Sequence, residues 1–262
     1  MLSLQVPAPS ITMKFSHLPA FLVASTLIAH AMAVETKERT FEGKHFTVSS
    51  VDLEREKLHL FLGDGRNYFN NFENIDRWLA PKKQRLVFAM NAGMFHPGFG
   101  PVGLFVDHGR TIGKLNLDND EGNFFLKPNG IFAITESGAH VIESSQFPAL
   151  AAADGIEKVQ LATQSGPLLV LNGRLHPAFR AGSDSRLMRN GVGVISAKRV
   201  VFAISNEPVN FHEFARLFRD GLGCPNALFF DGSVSSIYSM EPRLHVIRFP
   251  LGPIIGIIAP ME

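Results

Sequence analysis

The stretch FFDGSVSSIY, residues 229–238, places a carboxylate directly after an apolar run. Asp231 is followed by Gly232, and three serines, among them Ser235, precede the next aromatic residue. A carboxylate at the end of a buried strand, with hydroxyls and open backbone amides around it, is suited to holding a polar ligand. The Asp-Gly pair also favours a hairpin turn, because Asp tolerates turn geometry and Gly supplies positive φ. The stretch alone leaves both interpretations open.

Three further segments combine turn residues with side chains that bind polar or anionic ligands. NAGMFHPGFGPVG begins with Asn91 and is rich in glycine, which lets a ligand approach the backbone. ATQSGPLLVLNGR places Ser165 and Gly166 just before a predicted strand, and RLMRNGVGV places Arg186 and Arg189 before another. Arginine suits phosphate because its planar guanidinium donates two parallel hydrogen bonds. Solvated turns explain each segment equally well when it is taken alone.

Short strands dominate the pattern from residue 36 to residue 262, which we interpret as one domain because no linker or repeat interrupts it. Segments such as RLVFAM, GIFAIT, GVGVIS and NALFFD are rich in β-branched or aromatic residues and bounded by turn formers. Asn172-Gly173 and His108-Gly109 predict two hairpins. The sequence therefore predicts an α+β fold with a large mixed or mainly antiparallel sheet covered by a few helices.

Two segments have helical patterns. In NFHEFARLFRDGLG, Asn210 can cap the helix, Glu213 occupies the third helical position, and the aromatic residues share one face. Gly221 or Gly223 would end this helix. NFENIDRWLA forms the second predicted helix and is stopped by Pro81.

The charge balance and the cysteine count narrow the class of protein. Lys and Arg total 25 against 24 for Asp and Glu, so no strong field would attract nucleic acid or an anionic membrane. Cys224 is the single cysteine, which excludes an internal disulfide and the paired-cysteine zinc patterns. We expect it to be a small core residue.

The N-terminal segment has the layout of a secretory signal peptide. Residues 13–33 begin with Met-Lys, continue through an apolar stretch and end in Ala-Met-Ala, an A-x-A cleavage site. The apolar stretch is shorter than the roughly 20 residues that a membrane-spanning helix needs. Residues 1–12 are interpreted as an over-extended gene start. We expect cleavage after Ala33 and a soluble periplasmic or secreted protein that keeps no stable membrane anchor.

Six motifs in order resemble the phosphodiester glycosidase family, over about residue 85 to the C-terminus. They are NAGMF (91–95), PVG (101–103), NGIF (129–132), SGPLLV with NG (165–173), RNGVG (189–193) and DGSVS (231–235). The family includes a lysosomal enzyme that removes N-acetylglucosamine from mannose 6-phosphate diesters, and the nearer likeness is to bacterial periplasmic members. NAGMF stands for the family's Asn-Gly-Gly-Phe-Phe, and DGSVS for its Asp-Gly-Gly-Gly-Ser. Ser205-Asn206-Glu207-Pro208 stands where relatives often carry a second Asp-Gly-Arg.

The resemblance implies a hydrolase that cleaves the glycosidic C–O bond of a sugar 1-phosphodiester. Such a reaction passes through an oxocarbenium-like state that a carboxylate can stabilise or attack. Asp231 would be the nucleophile or general base, Asn91 an orienting hydrogen-bonding residue, and Glu207 the candidate partner acid or base.

The resemblance also implies the residues that bind the substrate. Arg189 would clamp the phosphate, backbone amides near Gly166 and Gly232 would assist, and the Ser165 and Ser235 hydroxyls would line the cleft. No cofactor and no metal ligand is expected, and the partner is a small-molecule or glycan phosphodiester rather than a nucleic acid.

Two other functions remain open at this point. One is a metal-dependent phosphodiesterase, although no histidine pair has HxH or HExxH spacing. The segment DNDEGN (118–123) lacks the closing Glu of a calcium loop, so we predict that it is a solvated turn. A non-catalytic glycan-binding protein of the cell envelope is the other. Turnover of a glycosyl phosphodiester would discriminate between them.

Overall fold

The computed structural model describes Leu2 and residues 34–261. The predicted signal peptide, residues 13–33, lies outside the described residues, and so does the predicted over-extended start apart from Leu2. The first strand begins at Val34, two residues before the predicted domain boundary at residue 36.

Seventeen strands and three α-helices make up the regular structure of the described residues. The strands are β1 Val34–Phe41, β2 Lys44–Asp52, β3 Leu58–Phe61, β4 Gln84–Asn91, β5 Phe105–Asp107, β6 Arg110–Gly113, β7 Gly130–Thr135, β8 Gly138–Glu143, β9 Leu161–Ser165, β10 Leu168–Leu171, β11 Arg174–Leu175, β12 Asn190–Ser196, β13 Arg199–Ser205, β14 Asn226–Phe229, β15 Ile237–Ser239, β16 Leu244–Val246 and β17 Ile254–Pro260. The helices are α1 Phe72–Leu79, α2 Phe147–Asp154 and α3 Phe211–Arg216.

The strands form three sheets. The largest has seven strands in the order β1-β2-β13-β12-β14-β10-β11, and the others have five each, β16-β15-β4-β17-β3 and β6-β5-β9-β7-β8. Every strand pairing among the described residues is antiparallel. The prediction of a mainly antiparallel α+β fold is confirmed, with the strands distributed over three sheets.

The three sheets pack around a shared apolar core. Phe202 of the seven-stranded sheet contacts Phe88 of β4 at a ring-centroid distance of 5.2 Å and Phe132 of β7 at 6.2 Å. All three side chains are fully buried. Burying a large apolar side chain contributes about 1.5–3 kcal/mol, so this cluster fixes how the three sheets meet.

The predicted capping of α3 is confirmed. Asn210 accepts a hydrogen bond from the Glu213 backbone N–H, and the Glu213 side chain accepts one from the Asn210 backbone N–H. The chain continues as a π-helical turn, Leu217–Gly221, ending at one of the two predicted glycines. α1 ends before a 3-10 turn that contains Pro81. α2 was not predicted, because FPALAAAD has no amphipathic pattern.

Candidate active site

Asp231 lies where the chain leaves the seven-stranded sheet. Phe230 extends the ladder of β14 by donating its backbone N–H to the Asn190 carbonyl at 3.0 Å. Asp231 then caps a 3-10 turn, Gly232–Val234, and its Oδ1 accepts a hydrogen bond from the Ser233 backbone N–H at 3.1 Å. The next strand, β15, belongs to a different sheet. The alternative of an Asp-Gly hairpin is therefore wrong, and Asp231 occupies a crossover between sheets.

Gly232 is required by close packing at this crossover. A Cβ atom at this position would lie 2.8 Å from the Met188 carbonyl oxygen and 2.9 Å from the Phe229 ring. Real Cβ contacts are not this short, so a larger residue would displace the turn that carries Asp231. The glycine sets the position of the carboxylate.

Asn91 joins two sheets through its side-chain amide. Its Nδ2 donates to the Asp231 carbonyl oxygen at 2.9 Å. Its Oδ1 accepts from the Ser236 backbone N–H and from Asn190 Nδ2, each at 2.9 Å. The Ser235 hydroxyl donates to Asn190 Oδ1 at 3.4 Å. Because Asn91 is only 1% exposed, this network holds the backbone on both sides of the Asp231 turn.

Arg189 is a buried cation held mainly by carbonyls and aromatic rings. Its Nε donates to the Val209 carbonyl and its Nη2 to the Ser185 carbonyl, both at 2.9 Å. The Cζ atom lies 3.6 Å from the Phe211 ring centroid and 5.6 Å from that of Phe229. Burial lowers the pKa of Arg189 to about 10, so the group stays charged at neutral pH. Its Nη1 is buried and has no hydrogen-bond partner among the described residues.

Asp231 and Arg189 lie on the same face of the seven-stranded sheet. Successive side chains of an extended chain point to opposite faces, so Asp231 shares the face of Phe229, over which Arg189 lies. Burial raises the pKa of the Asp231 carboxyl. Within residues 34–261 the two groups form no ion pair with each other or with any other side chain. One face of the sheet therefore carries a carboxyl and a guanidinium group, neither of which forms an ion pair in the described chain.

Ser165 and Gly166 lie at the end of β9, in the third sheet. Ser165 Oγ is buried and has no partner in the part of the chain that the structure describes. A Cβ atom on Gly166 would lie 2.6 Å from the Phe124 carbonyl oxygen, so the backbone packs too closely for a side chain. A Cβ on Gly93, two residues after Asn91, would clash with the backbone beside Ser165 at the Gln164 carbonyl. The end of β9 and the loop after β4 are thus in direct contact.

Gln164 was not recognised from the sequence. It is 1% exposed, its Oε1 accepts from the backbone N–H groups of Leu104 and Asn116 at 2.9 and 3.0 Å, and its Nε2 donates to Ser144 Oγ at 3.0 Å. ATQS was interpreted as a segment before a strand, whereas it is part of β9. No local signal distinguishes a buried glutamine from an exposed one.

Glu207 is held by the beginning of β2. Its Oε2 lies 2.9 Å from Lys44 Nζ, and its Oε1 accepts from the His45 backbone N–H at 3.0 Å. The hydrogen bond from Lys44 is the main reason that the pKa of Glu207 is lowered, so the group is ionised. No hydrogen bond joins Glu207 to Asp231 in the described chain, and its catalytic role stays a prediction.

Arg186, the second arginine of RLMRNGVGV, is neutralised. Its Nη1 and Nη2 atoms donate to the two carboxylate oxygens of Glu213, each at 2.8 Å. Of the two arginines, only Arg189 lacks a carboxylate partner among the described residues, and its Nη1 is buried without a hydrogen-bond partner there.

The DNDEGN turn is exposed along its whole length, as predicted for a solvated turn. Residues 34–261 contain no group of three or more His, Cys, Asp or Glu side chains arranged to hold a metal ion. In the same part of the chain, no helix has the length and apolar character needed to cross a membrane.

A model of the phosphodiester glycosidase family matches residues 84–252. The chain belongs to the phosphodiester glycosidase family. The matched region contains every residue placed at the candidate site, from Asn91 to Ser235.

Three individual proteins are similar to this family member. The uncharacterized protein YigE of Escherichia coli strain K12 is 31% identical over 169 residues, which cover 64% of each chain, so the match spans less than two thirds of that relative. A hypothetical protein from Synechocystis has a TM-score of 0.55 at 15% identity, covering 86% of this chain and 62% of the other. The third protein is the catalytic domain of zebrafish N-acetylglucosamine-1-phosphodiester alpha-N-acetylglucosaminidase, auto-inhibited by its pro-peptide. It has a TM-score of 0.57 at 14% identity and covers 87% of this chain and 84% of the other. The two solved structures show a shared fold.

Proposed function

We propose that the protein hydrolyses the glycosidic C–O bond of a sugar 1-phosphodiester. Membership of the phosphodiester glycosidase family supports this class of reaction. The observation that carries the proposal is the pair Asp231 and Arg189, which lie on one face of the seven-stranded sheet without an ion pair in the described chain. A sugar phosphodiester presents a centre that becomes positive during C–O cleavage and a phosphate that is negative, which matches one carboxylate and one guanidinium.

Asp231 acts at the anomeric carbon. As the nucleophile, its carboxylate forms a bond to that carbon while the C–O bond breaks and the electron pair leaves with the phosphate monoester; water then hydrolyses the glycosyl-enzyme. As the general base, it removes a proton from a water molecule that attacks the same carbon directly. Because the phosphate leaves as a stabilised anion, the leaving oxygen has little need of a proton. Both routes require the ionised carboxylate.

Arg189 stabilises the departing phosphate through Nη1. Nε and Nη2 are engaged by the Val209 and Ser185 carbonyls, so Nη1 is the donor left for the phosphate. Because Nη1 is buried, substrate binding must open a path to it. This single hydrogen bond from Nη1 differs from the expected clamp, in which the guanidinium donates two parallel hydrogen bonds to the phosphate. The cation remains fixed by the Phe211 ring while charge develops on the phosphate.

Three other predicted site residues position Asp231 or donate hydrogen bonds to the substrate in this proposal. Asn91 is a positioning residue, since it holds the Asp231 backbone. Ser235 supports the same network through Asn190. Ser165 Oγ is buried and lacks a protein partner in the described chain, so it becomes a donor for a sugar hydroxyl or a phosphate oxygen when substrate binding opens the site.

Glu207 is not the proton donor in this proposal. Its carboxylate is stabilised as an anion by Lys44 and by the His45 backbone N–H, which opposes protonation. A departing phosphate removes the requirement for a proton donor at this position. We therefore assign the essential carboxylate to Asp231 and expect Glu207→Gln to retain turnover.

A screen of the purified protein against sugar 1-phosphodiesters tests the proposal. Released reducing sugar is measured for the wild type and for Asp231→Asn, which serves as the matched inactive control. We expect at least one substrate to be hydrolysed by the wild type alone. Saturable binding of these compounds with no turnover by the wild type would instead favour the glycan-binding alternative.

We also propose that the protein acts in the periplasm or outside the cell. The A-x-A pattern that ends at Ala33 supports export. Val34 pairs with Val51 in β1–β2, so cleavage after Ala33 would leave the first strand whole. The intact mass of exported protein should correspond to a chain that starts at Val34, and a soluble exported form that keeps earlier residues would contradict this cleavage site.

A further inference from the structure

A cavity of about 520 Å³ lies between the turn after β3 and the β5–β6 hairpin, and it does not contain Asp231. Its volume falls within the roughly 300–1,000 Å³ typical of small-molecule sites. The activity proposed above makes no use of this cavity.

Two aromatic side chains border the cavity and remain accessible. Tyr68 is 41% exposed and Trp78 is 37% exposed. The Trp78 ring is held by edge contacts to Phe69 and Phe61, at centroid distances of 5.4 and 6.5 Å, and Lys82 Nζ lies 2.9 Å from its centroid. A fixed aromatic surface with an accessible part is suited to packing against the C–H groups of a sugar ring, which are partly positive.

The charged residues of the cavity balance one another. Asp64 and Asp107 supply two carboxylates, and Arg66 and Arg110 supply two guanidinium groups. Neither arginine pairs with a carboxylate in the described part of the chain. The four charged lining residues thus offer both donors and acceptors and their formal charges cancel, which suits a neutral polyhydroxylated ligand better than an anion.

A chain of aromatic contacts connects this cavity with the loop that begins at Asn91. Tyr68 lies 6.1 Å from Phe99 between ring centroids, and Phe99 stacks on Phe95 at 5.8 Å. Phe95 and Phe99 belong to the loop that follows Asn91, and Asn91 holds the Asp231 backbone. A glycan bound at Tyr68 would therefore lie against a side chain that packs on the loop following Asn91.

We propose that the cavity beside Tyr68 and Trp78 binds a neutral oligosaccharide segment and anchors an extended glycan to the enzyme. The inference rests on the proposed function for the role of the glycan as substrate. The binding itself is independent of turnover, because none of the cavity residues takes part in the proposed chemistry.

Tryptophan fluorescence tests the binding directly, since Trp78 is the only tryptophan of the chain. The probes are neutral maltooligosaccharides and chitooligosaccharides, titrated into the wild type and into Asp231→Asn. We expect a saturable change in Trp78 emission with the same affinity in both. Tyr68→Ala should weaken binding about tenfold, and Tyr68→Phe, which keeps the ring, should bind like the wild type. Phe249→Ala removes an aromatic ring that is 57% exposed outside the cavity, and it should also bind like the wild type.

The outcomes separate this inference from the proposed function. No saturable response to either oligosaccharide series, or equal affinity in Tyr68→Ala and the wild type, would overturn the inference whether or not the protein hydrolyses phosphodiesters. A response to inorganic phosphate alone would also overturn it, because it would identify an anion site. Oligosaccharide binding that depends on Tyr68, in a wild type without turnover, would support the inference and contradict the proposed activity.

Discussion

The side-chain amide of Asn91, at the end of β4, donates a 2.9 Å hydrogen bond to the backbone carbonyl of Asp231, which follows β14. β4 and β14 belong to different sheets, and Asn91 and Asp231 are 140 residues apart in the sequence. The bond therefore fixes the carboxylate relative to a second sheet. The geometry of the active site depends on how the sheets meet.

Asn91→Ala should impair both stability and turnover. It leaves the Ser236 N–H and the Asp231 carbonyl without their partner in a buried place, and each such group costs about 1–3 kcal/mol. We expect a lower melting temperature and a lower kcat. Asn119 lies in the exposed DNDEGN turn, and Asn119→Ala is the control for loss of an amide. Normal kcat in folded Asn91→Ala would show that the positioning bond is dispensable.

Asp231→Asn should abolish turnover and stabilise the fold. Burial raises the pKa of Asp231, so the ionised form is disfavoured in the folded protein. Below the pKa of the unfolded state, Asp231 is protonated in both the folded and the unfolded protein, and burying it does not destabilise the fold. Once the pH exceeds the raised pKa of the folded state, the cost of burying the ionised carboxylate is fully present. The gain in unfolding free energy of the variant should therefore grow from acidic to neutral pH. Denaturant titrations at several pH values measure it.

Asp76→Asn is the matched control for that comparison. Asp76 is also a partly buried carboxyl whose pKa is raised by desolvation, but it lies on α1 and accepts from the Leu86 backbone N–H. We expect this variant to keep turnover. Equal loss of activity in both variants would mean that the effect of Asp231→Asn is not specific to the active site.

The pH profile of the wild type should reflect the same buried carboxyl. Since both proposed routes need ionised Asp231, kcat/KM should fall on the acid side around a pKa above the ordinary aspartate value of about 3.9. Rate measurements in non-coordinating buffers over acidic pH test this. An acid limb at or below the ordinary value would contradict Asp231 as the titrating group.

Arg189→Lys should reduce kcat on phosphodiesters by about 10²-fold, the usual effect of losing one donor to a developing anion. Lysine keeps the charge but cannot satisfy the Val209 and Ser185 carbonyls while also reaching the phosphate. Arg186→Lys is the control, because Arg186 pairs with Glu213 at a partly exposed site and such pairs contribute about 0–1 kcal/mol. Equal rates in the two variants would argue against a role for Arg189 at the phosphate.

Features set by neighbouring residues were predictable from the sequence. Asn172-Gly173 and His108-Gly109 form the two predicted hairpins, and all four residues have positive φ. The Asn210–Glu213 capping box is likewise local, since three residues separate the partners. In each case the backbone requirement and the residue type that satisfies it lie within the same short segment.

Features set by distant partners were not predictable in the same way. The Asp-Gly pair at Asp231 fits a hairpin turn locally, and only the assignment of β15 to another sheet excludes it. Asn190 belongs to a recognised motif, yet its hydrogen bond to Asn91 spans 99 residues. Arg189 was expected to offer its full guanidinium to phosphate, and long-range packing against Phe211 and Val209 leaves Nη1 as the free atom in the described chain.

The position of bond cleavage is the most direct test of the account. Attack at carbon places the solvent oxygen on the sugar, whereas attack at phosphorus places it on the phosphate. Hydrolysis is carried out in oxygen-18 water with chelator-treated protein, and both products are analysed by mass spectrometry. We predict labelled sugar and unlabelled phosphate monoester. Label on the phosphate, with activity lost to the chelator and restored by a divalent metal, would contradict cleavage by Asp231 at the anomeric carbon.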